Sequence, residues 1–130
     1  MSYLLDTNVL IRYLTEDDQK KAVSVEKLLK TSKKTLIISD VALAEIVWVL
    51  TSVYSQSRED IISKLGTLIS LKSIKVNLKV ISKTLLNFKD KKLGWIDAYL
   101  LALIQTGKNQ GIYSYDQYLD KIPGITRREP

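Results

Sequence analysis

These 130 residues contain no cysteine and no histidine. Without cysteine there are no disulfides and no thiolate nucleophile. Without either residue there is no zinc site of the Cys/His kind, and no imidazole stands ready as a general base. An enzyme built from this chain must work with carboxylates, hydroxyls, lysines or a hard cation. Missing cysteine also suits a reducing compartment, so a cytoplasmic protein is expected. Long apolar runs are absent as well. The longest, Val41 to Leu50 and Ala98 to Ile104, are too short to span a bilayer, and Glu45 interrupts the first. No membrane association is expected. The first residues run straight into Asp6 without a signal-peptide pattern.

The chain is long enough for one domain, residues 1–130, with a proper core, and its 45% hydrophobic share is that of an ordinary globular protein. Twenty Lys and Arg against fourteen Asp and Glu leave a formal net charge of +6. That balance favours polyanionic partners: RNA, DNA or an acidic protein segment.

Tyr3-Leu-Leu5 is a short apolar run that stops at Asp6-Thr7-Asn8, after which Val9, Leu10, Ile11, Tyr13 and Leu14 read as a mostly buried helix. Thr15-Glu-Asp-Asp18 caps a second helix running to about Lys30. Thr35-Leu-Ile-Ile38 reads as a second buried strand, and Ser39-Asp40 caps a third helix, Val41 to about Val53. This helix is apolar almost all round and is expected to be largely buried. Ser57 starts a fourth helix, Ser73 to Val76 is a short third strand, and Asn77 can cap a fifth helix. Trp95 to about Thr106 is a sixth, Gly111 to Ser114 a fourth strand, and Ile125-Thr126 a last edge strand. Strands alternate with helices throughout, with no internal repeat or linker. The pattern predicts a single-domain three-layer α/β/α sandwich around a mostly parallel sheet.

Four acids stand out against this frame. Glu45 interrupts an apolar helix; either its face reaches solvent, it pairs with a lysine, or it is needed where it is. Asp97 lies in the first turn of the sixth helix, where dipole compensation alone would suit it. Asp6 and Asp116 each follow a strand, where capping or turn formation is the plain reading. In a doubly wound sheet, however, the first strand commonly lies beside the strand after the return crossover, which sets Asp6 and Asp116 together at the switch point. Four converging acids without Cys or His suit Mg²⁺ or Mn²⁺, which take carboxylate oxygen and water. The chemistry that needs such a cluster is in-line phosphodiester hydrolysis.

The pieces Leu5-Asp6-Thr7-Asn8, Ala44-Glu45, Asp97-Ala-Tyr-Leu-Leu-Ala102 and Tyr113-Ser-Tyr-Asp116, in this order, resemble the PIN domain over essentially the whole chain. The likeness is greatest to the small ribonuclease toxins of VapBC-type toxin–antitoxin pairs. The resemblance implies that Asp6, Glu45, Asp97 and Asp116 are the metal-binding acids, with Asn8 supporting them by hydrogen bonding and Ser114 in the hydroxyl position. It implies an RNA substrate and a small antitoxin protein as partner. Arg12, Lys89, Lys91 and Lys92 are the candidate phosphate contacts. The surplus apolar surface from Val41 to Tyr54 implies a two-fold homodimer. Haloacid-dehalogenase-like phosphatases need a second Asp where Asn8 stands, and a response-regulator receiver needs one where Asn77 stands. A PIN-like RNA- or protein-binding module without catalysis, and a housekeeping RNA-processing nuclease, are the remaining alternatives.

Overall fold

A computed structural model of the chain describes residues 1–91, 93–107 and 111–130. Strand β1 (Ser2–Leu4) passes through Leu5 and Asp6 into helix α1 (Thr7–Thr15). Asp6 keeps an extended backbone and its Oδ1 accepts the Thr7 amide at 2.9 Å, so Asp6 rather than Thr7 caps this helix. Glu16, left-handed at φ 53°, closes α1. Asp18 then opens α2 (Gln19–Thr31) by accepting the Lys21 amide. Strand β2 (Thr35–Ile37) is followed by α3 (Asp40–Ser52), capped by Ser39, and α4 (Arg58–Ile69), capped by Ser57. Then come β3 (Ile74–Lys75), α5 (Leu78–Asp90), α6 (Trp95–Thr106) and β4 (Gly111–Tyr113). A 3-10 turn (Gln117–Lys121) and β5 (Thr126–Arg128) complete the described elements. Asn77 precedes α5 but makes no side-chain capping bond.

Every strand pair is parallel: β1 with β2 (Leu4 opposite Ile37), β2 with β3 (Ile37 opposite Lys75), and β4 with β5 (Gly111 opposite Thr126). This is the three-layer α/β class with parallel strands that the alternation predicts. Among the described residues the sheet nevertheless stands in two pieces, β1-β2-β3 and β4-β5, so β1 and β4 do not share there the ladder that would set Asp6 beside Asp116. Three-residue strands offer few ladder bonds, and helix packing decides where they lie. A related correction concerns β1 itself. Of the apolar run, only Leu5 is buried, whereas Leu4 is 73% exposed at the free edge.

The core gathers Leu10, Leu43, Ile46, Leu50, Leu68 and Leu101, all with no more than 1% exposure. Helix α3 supplies three of these from one side only. Its other side, Val41 (78% exposed), Glu45 and Trp48 (64% exposed), runs at i, i+4, i+7 along solvent. The expectation of a largely buried helix therefore fails for this face; α1, α4 and α6 all contact α3, and its buried residues are Ala42, Leu43, Ile46, Val47 and Leu50. Helices α5 and α6 form a tight pair. Buried Asn87 donates from Nδ2 to Ala98 O and to Gln105 Oε1, and Phe88 meets Trp95 edge-on with centroids 5.4 Å apart. Arg58 lies 4.0 Å over the Phe88 ring and donates from Nη1 to Phe88 O and Leu93 O, tying α4 to the turn before α6. No helix among the described residues is long and apolar enough to cross a membrane.

Candidate acidic site

The parallel register sets Leu4 opposite Ile37, and the ladder continues with Leu5 N–H donating to Ile37 O at 2.9 Å. Two residues further on, Asp6 is level with Ser39, so α1 and α3 start side by side at the carboxyl edge of the sheet. Ligands of such sheets bind at that edge. Helix α6 reaches the same edge through Tyr99, whose hydroxyl donates to Asp40 Oδ2 at 2.6 Å. That bond, helped by burial, pushes the Tyr99 pKa up to about 12. The starts of α1, α3 and α6, and with them Asp6 and Asp97, thus belong to one region of the fold, while Glu45 lies a turn further along α3.

The side chains are less closely gathered than the helices. Asp6 is exposed, with one oxygen spent on the cap. Glu45 is exposed on the outer face of α3 and makes no hydrogen bond or ion pair among the described residues. Asp97 and Asp116 line one small cavity of about 140 Å³, with Ser114 between them in the lining. Ser114 Oγ accepts the Asp116 amide at 3.0 Å, and Asp116 Oδ1 accepts the Tyr118 amide at 3.0 Å. The fold therefore brings Asp97, Ser114 and Asp116 together and leaves Asp6 and Glu45 outside that cavity's lining. Among the described residues no three acids group closely enough to hold a metal ion. The donors fit Mg²⁺ or Mn²⁺ in kind, being all oxygen, and in the convergence of one carboxylate pair.

Asn8, exposed in the first turn of α1, makes no side-chain hydrogen bond among the described residues and lines a groove with Arg12 instead. Arg12 pairs with Asp17 at 3.3 Å. Lys89 is exposed at the end of α5, and Lys91 O accepts the Tyr118 hydroxyl at 3.3 Å, which ties the α5–α6 turn to the turn carrying Asp116. Lys92 lies outside the described residues. Trp95 is a core residue at 6% exposure, whereas Trp48 faces solvent.

Two supporting residues have no local sequence signature. Arg127 grips Asp120 with Nε and Nη2 at 2.9 and 3.1 Å, and its Nη1 donates to Ser114 O at 2.8 Å and Glu129 Oε1 at 3.0 Å. Its guanidinium lowers the Asp120 pKa and braces the Ser114–Asp116 turn from behind. Asp40 reads in sequence only as a helix start, yet it anchors Tyr99, 59 residues away. The Tyr99–Asp40 and Arg127–Ser114 bonds join residues 59 and 13 apart in the chain, so no local pattern announces them.

A PIN domain profile matches residues 3–125. No curated protein matches the chain. Among solved structures, a chain of VapBC2 from Rickettsia felis bound to a DNA fragment from their promoter aligns with 99% of this chain and 98% of that one. The identity is 20% and the TM-score 0.43.

Proposed function

The chain belongs to the PIN domain family, whose members are in general nucleases, and on that premise we propose that it is a metal-dependent endoribonuclease, the toxin of a VapBC-type type II toxin–antitoxin pair. The observation that carries this reading is the convergence of Asp97 and Asp116, 19 residues apart in the chain, on one cavity with Ser114. Asp6, the cap of α1, and Glu45, in the second turn of α3, would complete a set of four carboxylates for Mg²⁺ or Mn²⁺. Such a cation supplies Lewis-acid activation of water and charge compensation at the leaving oxygen. The protein's own part is positioning. Ser114 holds the Asp116 backbone, Arg127 holds Ser114, and Tyr99 with Asp40 fixes α6 against α3. No protein base is required, in keeping with a chain that lacks histidine. Arg12, Lys89, Lys91 and Lys92 are the proposed phosphate contacts.

Two partners belong to this reading. Val41, Trp48 and Val53, all more than half exposed along α3, supply an apolar face suited to a two-fold homodimer. An antitoxin segment carrying Arg or Lys would pair with the acids and exclude the cation. Cleavage of a labelled RNA panel in Mg²⁺ or Mn²⁺ is the test. Asp6→Asn and Asp97→Asn should each remove most activity and leave the melting temperature unchanged or higher, since like-charge repulsion is relieved. Near-wild-type cleavage by either variant refutes the site. The spread of the acids favours one second reading, a PIN scaffold that binds RNA without cutting it; that reading requires binding with no metal-dependent product.

A further inference from the structure

A second, larger concavity of about 600 Å³ lies between α1 and α2. Its apolar floor is Val9 and Val25, and its polar lining is Asn8, Arg12, Lys20, Lys21 and Ser24. No acid lines it, although Glu16, Asp17 and Asp18 form the turn between the two helices. None of these acids joins the lining, although Asp17 and Asp18 each bond to a residue that does. Glu16 lines a different concavity, beside Lys64. Asp17 accepts the Tyr54 hydroxyl at 2.6 Å, which lowers its pKa, and Asp18 caps α2 by accepting the Lys21 amide. Arg12 keeps one contact to Asp17, and Lys20 and Lys21 have no carboxylate partner among the described residues. Asn8 and Arg12 stand one turn apart on α1, as do Lys20 and Ser24 on α2. The groove therefore opens at Asn8, two residues from Asp6, and the charged residues of its lining are all basic, Arg12 being shared with Asp17.

We infer that this groove is the track for the phosphodiester backbone of a single-stranded RNA, delivering the strand to the acids at the sheet edge. The inference rests on the nuclease reading for its substrate class and adds Lys20, Lys21 and Ser24 to the contacts. Two lysines and an arginine beside a narrow apolar floor suit a chain of evenly spaced phosphates. Apart from the Asn8 amide they offer nothing that reads base edges, so the groove positions the strand without selecting its sequence. An acidic peptide would meet the same cations, and the nuclease reading is what favours an RNA strand over it.

The test is binding of a fluorescent single-stranded RNA to the full chain in EDTA, read by anisotropy across a salt series. Removing two phosphate contacts from a single strand should flatten the slope of log K against log salt by about 1.4, at roughly 0.7 per contact. Lys20→Gln combined with Lys21→Gln should show that change, with affinity at 0.1 M salt falling roughly 25-fold. Lys79→Gln with Lys83→Gln on α5 removes the same charge away from the groove and should leave the slope as it was. An unchanged slope in the groove variant overturns the inference, as does an equal change in the α5 variant. Equal binding of an acidic peptide, lost in the same groove variant, reassigns the surface to a protein partner and also overturns it. Because binding is measured without metal, failure of the nuclease reading remains distinguishable. A chain that binds RNA through the groove yet never cleaves refutes that reading and leaves this one standing.

Discussion

Arg58 offers the most direct link between packing and the candidate site. Its guanidinium lies 4.0 Å over the Phe88 ring and donates at 2.7 and 2.6 Å to the carbonyls of Phe88 and Leu93. Leu93 is the residue before Gly94, the N-cap of α6, so this one side chain sets how α6 and Asp97 enter the site. Arg58→Met keeps much of the aliphatic stem and removes both donors. Hydrogen bonds from a charged group contribute about 1.5–3 kcal/mol each. The bordering cavity lets water replace part of that loss, so the pair falls a little below twice the low end, at about 2.5 kcal/mol. The ring contact adds about 0.5–1 kcal/mol. A loss of about 3 kcal/mol in a chain of this size lowers the melting temperature by about 10 °C. Thermal unfolding followed by circular dichroism measures it, with Arg58→Lys as the companion. A lysine keeps the charge but lacks the planar fork, so it should recover only about half the loss. A drop of less than about 2 °C in Arg58→Met would mean that neither carbonyl depends on this residue, and the account of how α6 is held would be wrong.

Tyr99 predicts an alkaline limit. Its folded pKa of about 12 lies above the unfolded value of 10.0, so its contribution is complete below pH 10 and is lost as pH rises through 12. Tyr99→Phe should unfold with a flatter dependence than wild type in that window, and parallel curves would refute the Asp40 bond. At Gly111 any Cβ would run into the Thr126 carbonyl oxygen. Gly111→Ala should therefore break the β4–β5 pairing and expose the C-terminal segment to limited proteolysis, while wild-type resistance would contradict that register. Along β1, Leu5 N–H faces β2, so by alternation Leu4 N–H faces the open edge. Hydrogen exchange should be slow at Leu5 and fast at Leu4; a protected Leu4 would mean that β1 has a second neighbouring strand.

Helix positions were legible because local chemistry dictates them. Ser39 and Ser57 each cap the helix that their spacing announces, whereas the cap of α2 is Asp18, three residues beyond Thr15, which ends α1 instead. Parallel pairing followed from the alternation of elements alone. Strand adjacency was not legible. The neighbour of a three-residue strand is chosen by the helices that carry it, and the α5–α6 pair that precedes β4 is fixed by Asn87 and by Phe88 on Trp95. Nor could composition tell that α3 has one wet side. Val41 and Trp48 are as apolar as Leu43 and Ile46, and only the placement of neighbours separates them.

The acids show the same division more sharply. An acid that follows a strand is available for two jobs at once, because a carboxylate has two oxygens and a cap uses one. Asp6 and Asp116 both cap with Oδ1, and neither makes a hydrogen bond through Oδ2 among the described residues. Capping and metal binding are therefore compatible at these positions: the cap fixes the backbone and leaves the second oxygen without a hydrogen bond among the described residues. At Asp116 the backbone is held further by a relay from Asp120 through Arg127 to Ser114. At Asp97 no cap is involved, and its place depends on how α6 is pinned by Arg58 and Tyr99. Glu45 has neither device; it stands on an exposed face beside Trp48, where any partner covering that apolar face would also change its surroundings. Of the four acids, Glu45 is thus the one whose role should be most sensitive to oligomeric state, because desolvation by a partner acts on it directly.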